Sequence, residues 1–408
     1  MKTLLLLTRS YPFDDGEEFL ASELRHASGF DRVAVCPCGL NRSSVPTREL
    51  PEGVRCVRLS KQPLGKSCYL RFLFRPYVQA ELWRLLLAGR FRPDRIHEML
   101  FFLKKAEETA GGLKKAVFPA PGEHIVIYSY WLYDTAAAGA LLADSLRARG
   151  TAVRLISRAH GFDIHASRAK TGYLPMRRFL FKRMDRIYPC SDDGTSVLKR
   201  EAGQNCAGKI RRAYLGTEDC GRGMPGRNPF HLVTCSYLLP VKRLDRLVEA
   251  LMQADFPVMW THIGSGPLER ELRRMAAKLP PQVTAEFTGA VKNRDVLNYY
   301  RTHPVSAFVN VSASEGLPVS VMEAFSFGIP AVATDVGGTH EIVADGRNGF
   351  LIPRDFSAGQ LLAVFRRLRN MKAEDYGALC AGARMTWNGK FNAADNYGRF
   401  YKEISTWN

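Results

Sequence analysis

Two glutamates, Glu315 and Glu323, bracket the run Gly316-Leu317-Pro318, and a lysine, Lys242, lies well upstream of them. Carboxylates accept hydrogen bonds from hydroxyl groups such as those of a ribose or a sugar, and an ammonium group suits phosphate. The residues around the glutamates predict how such groups would be presented. An apolar strand ends near Val311 and a polar loop follows. Pro318 fits the first helical position, where a missing N–H costs nothing, and Gly328 fits the residue just past the helix end. Glu315 and Gly316 then fall at the carboxyl end of a strand and ahead of a helix N-terminus. That is where open α/β sheets bind ligands and where free backbone N–H groups attract phosphate. Glu323 falls within ~10 Å of the helix start at 1.5 Å per residue. Each residue taken singly also has a plainer reading: Glu315 as a helix cap, Glu323 as a solvated helical glutamate, Lys242 as an exposed loop lysine.

The first half carries a second set. His160 and Asp163 flank Gly161 after the apolar run Val153–Arg158. They form either a turn held by Asp163 with His160 packed beside it, or a ring and a carboxylate offered to a ligand. The stretch Ser10–Phe19, with Tyr11, Gly16 and Glu17, follows the first strand, and Ser129-Tyr130-Trp131 with Asp134 ends another. Trp131 there either lines an acceptor side or fills core. Gly264-Ser265-Gly266 is not a dinucleotide fingerprint, because the third glycine position holds Glu269 and the preceding strand is not the first of its domain.

Positioning these loops needs sheets, and the strand candidates come in two series. The first is Leu4–Thr8, Arg32–Pro37, Val54–Leu59, Ile125–Tyr130, Val153–Arg158 and Arg186–Cys190. The second is His231–Leu238, Val258–Ile263, Thr284–Gly289, Ala307–Val311, Ala331–Val336 and Gly349–Ile352. Segments between them, such as 244–252 and 268–278, are apolar at i, i+3 and i+4. Repeated β–α alternation predicts parallel sheets covered by helices on both faces, twice over. The expected organisation is an N-terminal Rossmann-like domain at 1–216, a Gly/Pro-rich linker at 217–230 and a second Rossmann-like domain at 231–385. A last helix in 386–408 would pack back on the first domain.

The run Glu315-Gly-Leu-Pro to Glu323-Ala, then Gly328-Ile-Pro-Ala-Val-Ala, Asp335-Val-Gly-Gly and Glu341 through Ile352-Pro353, resembles retaining glycosyltransferase family 4. That family belongs to the two-Rossmann-domain (GT-B) class and serves in bacterial surface polysaccharide synthesis. The resemblance is dense over 230–355 and thin in the first half. It implies an α/β protein with two Rossmann-like domains facing across a central cleft. It implies transfer of a sugar from a nucleoside-diphosphate sugar to a glycan or lipid-linked acceptor with retention of configuration. By the same resemblance Glu323 binds ribose hydroxyls, while Glu315 and His160 face the transferred sugar as catalytic residues. Gly316, Leu317 and Pro318 face the distal phosphate, Gly264, Ser265 and Gly266 form the glycine turn, and Lys242 meets the diphosphate. The family's arginine five residues before that lysine is Tyr237 here, which leaves Arg243 as its candidate substitute. Tyr11, Gly16, Glu17, Trp131 and Asp163 are the candidate acceptor-side residues, although Gly16 precedes Glu17 where the family has a second glycine. The acceptor would be deprotonated with help from the donor phosphate. No cofactor and no essential metal are expected, since no Asp-x-Asp motif lies in the loops concerned.

Composition sets the outer bounds. A chain of 408 residues, 46% hydrophobic, suits two domains with their own cores. Nine irregularly spaced cysteines without a metal-ligand pattern suit a reducing cytosol. Met1–Ser10 reads as a buried first strand rather than a leader, and no uncharged run reaches the ~18 residues of a spanning helix. The net charge of +18 is uneven: residues 1–200 hold 33 Lys+Arg against 20 Asp+Glu, a difference of +13. Such asymmetry predicts an anionic partner. No helix-turn-helix, zinc or RNA-binding signature supports a nucleic-acid-binding protein, although the charge alone would allow one. The basic-aromatic stretches 66–92 and 173–186 suggest salt-sensitive docking on an anionic cytoplasmic membrane surface through Arg71, Arg75, Arg84 and Arg90, or else ordinary amphipathic helices. A nucleotide-sugar epimerase of the same architecture is the remaining enzymatic alternative. The oligomeric state is open.

Overall fold

The computed structural model describes residues 1–14 and 16–406; Asp15, within the first-loop stretch, lies outside the described residues. The described residues divide into two compact units, one of 1–213 with 397–406 and one of 214–396; Trp407 and Asn408, at the end of the expected last helix, also lie outside the described residues.

The first unit is built on β1 (Lys2–Thr8), β2 (Arg32–Pro37), β3 (Val54–Cys56), β4 (His124–Ser129), β5 (Ala152–Ala159) and β6 (Arg186–Pro189), in the order β3-β2-β1-β4-β5-β6. Every neighbouring pair is parallel, with Leu5 opposite both Ala34 and Ile127. The leucine run 4–7 is buried throughout, as expected of a central strand covered on both faces. The helix Asp134–Arg147 lies on this sheet through small residues, Ala136, Ala140 and Ala143, which pack in one core with Leu7, Ile127 and Leu155.

The second unit repeats the pattern. After a two-residue strand, β7 (Met224–Pro225), come β8 (His231–Cys235), β9 (Val258–Ile263), β10 (Val283–Phe287), a second short strand β11 (Pro304–Val305), β12 (Ala307–Asn310), β13 (Ala331–Thr334) and β14 (Gly349–Ile352). The six longer strands run β10-β9-β8-β12-β13-β14, all parallel, while β7 and β11 pair apart. In both units the first and fourth strands of the sheet are neighbours. This is the dinucleotide-fold order, with its reversal point between those two strands.

Two expectations about organisation change in detail. Residues 217–230 are part of the second unit rather than a free tether. β7 pairs with β11, Asp219 binds Arg384 through both carboxylate oxygens, and Arg227 donates to the carbonyls of Leu368 and Arg369 at 3.0 Å. The last helix, Ala393–Thr406, begins in the second unit and belongs to the first from Tyr397 onward. Its Phe400 ring lies 4.3 Å below the Arg158 guanidinium, Tyr188 donates to Glu403 at 3.0 Å, and Lys2 Nζ donates to the Ser405 carbonyl at 2.8 Å. Arg158 and Glu23 are fully buried, with Nε 3.4 Å from Oε1. Tyr128 accepts from that Nε at 2.8 Å and donates to Glu23 Oε1 at 2.7 Å. A buried charge is tolerated only with such partners.

Among the described residues no helix is long and apolar enough to cross a membrane. All nine cysteines are free.

Candidate functional site

At the reversal point of the second sheet, the chain leaves β8 toward β9 on one side and leaves β12 toward β13 on the other. The loops 236–243 and 311–318 therefore open away from each other at the strands' carboxyl ends. Lys242 comes from the first loop and Glu315 from the second, and they meet with Nζ 2.8 Å from Oε1. Asn310, at the end of β12, donates to the same oxygen at 3.3 Å. Burial opposes ionisation of Glu315, but the Lys242 charge and hydrogen bond, with donation from Ser312 and Asn310, outweigh it. The carboxyl is held below the usual glutamate range. It is a carboxylate at neutral pH.

The loop is fixed from behind. A Cβ on Gly337, whose φ is +53°, would run into the Glu315 carbonyl, and Gly338 donates its N–H to the Gly316 carbonyl at 2.8 Å. The helix begins at Val319, with Pro318 extended one residue ahead of it. Among the described residues, the N–H groups of Gly316, Leu317, Val319 and Ser320 donate to no protein acceptor. With the positive end of the helix dipole, they form an anion-seeking turn beside Lys242. Glu323 follows on the same helix, half-buried, and accepts from Asn293 Nδ2 at 2.7 Å.

Gly264 and Gly266 hold the other wall. Their φ values are +135° and +156°, and side chains there would strike the backbone of Ser236 and Leu238. The Ser265 carbonyl accepts from Leu238 N–H at 2.8 Å, so the glycine turn grips the loop that carries Lys242. Arg243, the candidate substitute for the arginine replaced by Tyr237, is engaged by the protein itself. Its left-handed backbone, φ +50°, turns the guanidinium toward the protein. There Nε donates to the Val311 carbonyl at 2.9 Å, and the group lies 5.3 Å over the Phe356 ring. It buttresses the Glu315 loop. Tyr237 is exposed.

The first unit gathers its candidates around the corresponding point between β1 and β4. Glu17 is buried, and Oε1 accepts from Arg9 N–H at 2.9 Å and Trp131 Nε1 at 2.7 Å. Oε2 accepts from Ser10 and Tyr11 N–H, each at 2.9 Å. It pins the first loop and Trp131, with both carboxylate oxygens taken by protein donors. Tyr11 is also interior, fully buried with Arg48 5.1 Å over its ring. Gly16 is exposed and donates to Glu18 at 3.0 Å. Asp163 is fully buried and accepts from Leu132, His160 and Gly161 N–H at 2.8–3.0 Å, which ties the loops after β4 and β5 together. The turn-forming reading of Asp163 is the one observed.

His160 packs against Tyr130 and Trp131, with ring centroids 4.5 and 4.7 Å away. Burial lowers its pKa to about 4, more than Asp163 nearby can restore, so the ring is neutral. Its Nε2 lies 3.1 Å from the Tyr130 carbonyl. A carbonyl only accepts, so Nε2 carries the proton and Nδ1 keeps its lone pair. Asn310 and Asn293 are partners that motif reading passed over. Asn310 left a trace, as a polar residue ending an apolar strand; Asn293 left none. Among the described residues no cluster of three or more His, Cys, Asp or Glu is placed to hold a metal ion.

Residues 226–378 match the family model of glycosyl transferases group 1. The Escherichia coli K12 protein WcaL, named as a colanic acid biosynthesis glycosyltransferase, is 28% identical over 224 residues, 51% of this chain and 54% of its own. The chain thus spans about half the length of the curated relatives it matches. Among solved structures, Anabaena HepE in complex with UDP and glucose superposes with a TM-score of 0.66 at 16% identity, covering 99% of both chains. Sucrose-phosphate synthase from Thermosynechococcus elongatus gives 0.70 at 17% identity, again over 99% of both. These likenesses show the fold, two Rossmann-like domains that match those of GT-B glycosyltransferase structures. The glycosyltransferase resemblance read from residues 230–355 is the one the comparisons return.

Proposed function

We propose that this protein is a glycosyltransferase that takes a sugar from a nucleoside-diphosphate donor and passes it, with retention of anomeric configuration, to a glycan or lipid-linked acceptor in surface polysaccharide assembly. The observation that carries the reading is the Lys242–Glu315 pair at the reversal point of the second sheet, ahead of a helix whose first amides have no protein acceptor. The matched family and the glycosyltransferase name of WcaL support it, as does a HepE fold holding UDP and glucose.

On this reading the amides of the 316–320 turn and Lys242 take the diphosphate, whose charge grows as the bond to the sugar breaks. Fixed donors aimed at developing charge act without reorganisation, and this is commonly the largest single contribution to rate. An ammonium has three N–H bonds, so Lys242 can keep Glu315 while donating to phosphate. Glu315, held ionised, accepts from the hydroxyls of the transferred sugar, and Glu323 accepts from the ribose. His160 contributes a neutral ring with an acceptor nitrogen, and the departing phosphate assists removal of the acceptor's proton. Lysine and amides supply the positive charge, so no metal is required. Arg243, Glu17 and Asp163 position loops and touch no substrate.

The test is incubation of the full chain with a panel of nucleotide sugars, read by thermal shift, followed by transfer assays with the donor that binds. Donor-dependent stabilisation, and a product whose anomeric proton keeps the donor's configuration by NMR, are expected with excess EDTA present. Conversion of the nucleotide sugar without any acceptor would favour the epimerase alternative. Activity that EDTA abolishes and magnesium restores would overturn the metal-free reading.

A further inference from the structure

The helix Pro76–Leu87 turns Val78, Glu81 and Leu85 inward, yet its outward positions 79, 80, 83, 86 and 87 are Gln, Ala, Trp, Leu and Leu, with no charge among them. An outward helix face is ordinarily polar. Here Trp83 is 63% exposed and Leu87 84%, and Phe74, just before the helix, is 74% exposed. Leu70, Leu86 and Phe91 extend the apolar series. Exposed apolar residues in a continuous stretch mark an interaction surface.

The charges around these residues indicate its occupant. In the stretch 66–92 the only acid, Glu81, is buried beneath the helix, held by Arg84 at 2.6 and 2.9 Å and by the Tyr173 hydroxyl at 2.6 Å. Lys66 and Arg90 are exposed and, among the described residues, form no ion pair. Arg71 and Arg92 are paired, to Glu107 and Asp94, but more than half exposed. Tryptophan, phenylalanine and leucine accompanied only by exposed cations suit the interface of an anionic bilayer.

We propose that this face of the first unit, residues 66–92, docks by inserting its apolar side chains into the surface of an anionic lipid bilayer. The structure also moves the emphasis away from the arginines that suggested an electrostatic contact. Arg71 and Arg75 both pair with Glu107, and Arg84 is used on Glu81. Insertion holds the protein; Lys66 and Arg90 orient it. The second basic-aromatic stretch, 173–186, takes no part, because Tyr173, Phe179, Phe181 and Met184 are buried. The proposal stands on this surface alone and does not depend on the activity proposed above.

Flotation of the full chain with phosphatidylcholine vesicles, with and without phosphatidylglycerol, tests it. Wild-type protein is expected to float with the anionic vesicles. The triple substitution Trp83→Gln, Leu86→Gln, Leu87→Gln should reduce partitioning at least tenfold. Lys66→Gln with Arg90→Gln should reduce it about fivefold per cation removed. Melting temperatures and second-unit donor binding should be unchanged in both variants, since all five side chains are exposed. Wild-type flotation that the triple substitution leaves intact, equal flotation with phosphatidylcholine alone, or no flotation would each overturn the proposal. So would a wild-type dimer that the triple substitution dissolves without any vesicle binding, which would make the face a contact between two copies of this chain.

Discussion

The two sheets have the same strand order but employ their loop carboxylates differently. In the first, Glu17 and Asp163 are buried, and backbone N–H groups, with one indole N–H, occupy them. In the second, Glu315 accepts from side chains, the Lys242 ammonium, the Asn310 amide and Ser312, and stands beside amides without protein acceptors. A carboxylate surrounded by backbone donors is a tie between loops. One facing a lysine at the mouth of a helix can still exchange partners. Topology alone does not separate these uses, and each can be made to fail separately.

The largest effect should come from Asp163→Ala. It leaves three buried amides without an acceptor, at about 1–3 kcal/mol each, so a loss of roughly 3–5 kcal/mol in denaturant unfolding of the first unit is expected after partial relaxation. Glu315→Ala should cost less than about 1 kcal/mol, because Lys242 is exposed enough to turn to water. Equal losses would erase the distinction between the two sheets. Next is the effect of Glu315→Ala on catalysis. Turnover at saturating donor should fall on the order of 100-fold with a smaller change in donor affinity, because the sugar moves in the transition state. A normal rate would remove Glu315 from the site. Glu323→Ala should weaken donor binding by ~1.5–3 kcal/mol in calorimetry, the value of hydrogen bonds to a charged group.

The smallest effect, and one shared by both units, is on pH dependence. His160, and His262 buried in β9 with Nδ1 2.9 Å from the Thr234 hydroxyl, both titrate near 4 in the folded chain, in each case mainly through burial, against an ordinary value of 6.5. The unfolded state therefore binds protons first. The stability held by the neutral rings is complete above pH 6.5 and is lost as pH falls from 6.5 toward 4. Glu315, with its lowered pKa, adds a further loss only at lower pH, below the ordinary glutamate range. Melting temperatures that stay level down to pH 4.5 would contradict these assignments, and replacing either histidine with Gln should flatten the slope in its own unit.

Much of this was legible in the residues. All twelve longer strands lie where the strand-like runs placed them, the central ones because a strand covered on both faces must be apolar along its length, while the edge strands β3 and β10 are partly exposed. Gly328 follows its helix at φ +76°, as its position before Pro330 indicates. The short pair β7 and β11 was hidden, since a two-residue ladder is too short to carry an apolar pattern. The directions of side chains were hidden for a related reason. Glu17 and Arg243 sit at positive φ, +57° and +50°, a conformation that sequence rarely signals for such residues. Once the backbone turns left-handed, a residue that looks outward in a motif points into the protein. Thus Lys242 and Glu315 could each be picked out from the motif, though not their pairing, whereas the inward turn of Arg243 and Glu17 could not be read.

The helix that closes over Arg158 has a consequence for how the protein comes into being. Residues 397–406 complete the first unit, yet a ribosome makes them only after the whole of the second. Until then the Arg158–Glu23 pair lacks the Tyr397 and Phe400 rings that cover it, and the nascent first unit holds a charged pair open to water. Vectorial synthesis therefore finishes the second unit first and the first unit last, a reversal of the usual N-to-C order. A fragment cut at residue 213 would be a permanent form of that unfinished intermediate, and supplying 393–406 as a separate peptide is the natural way to complete it in trans.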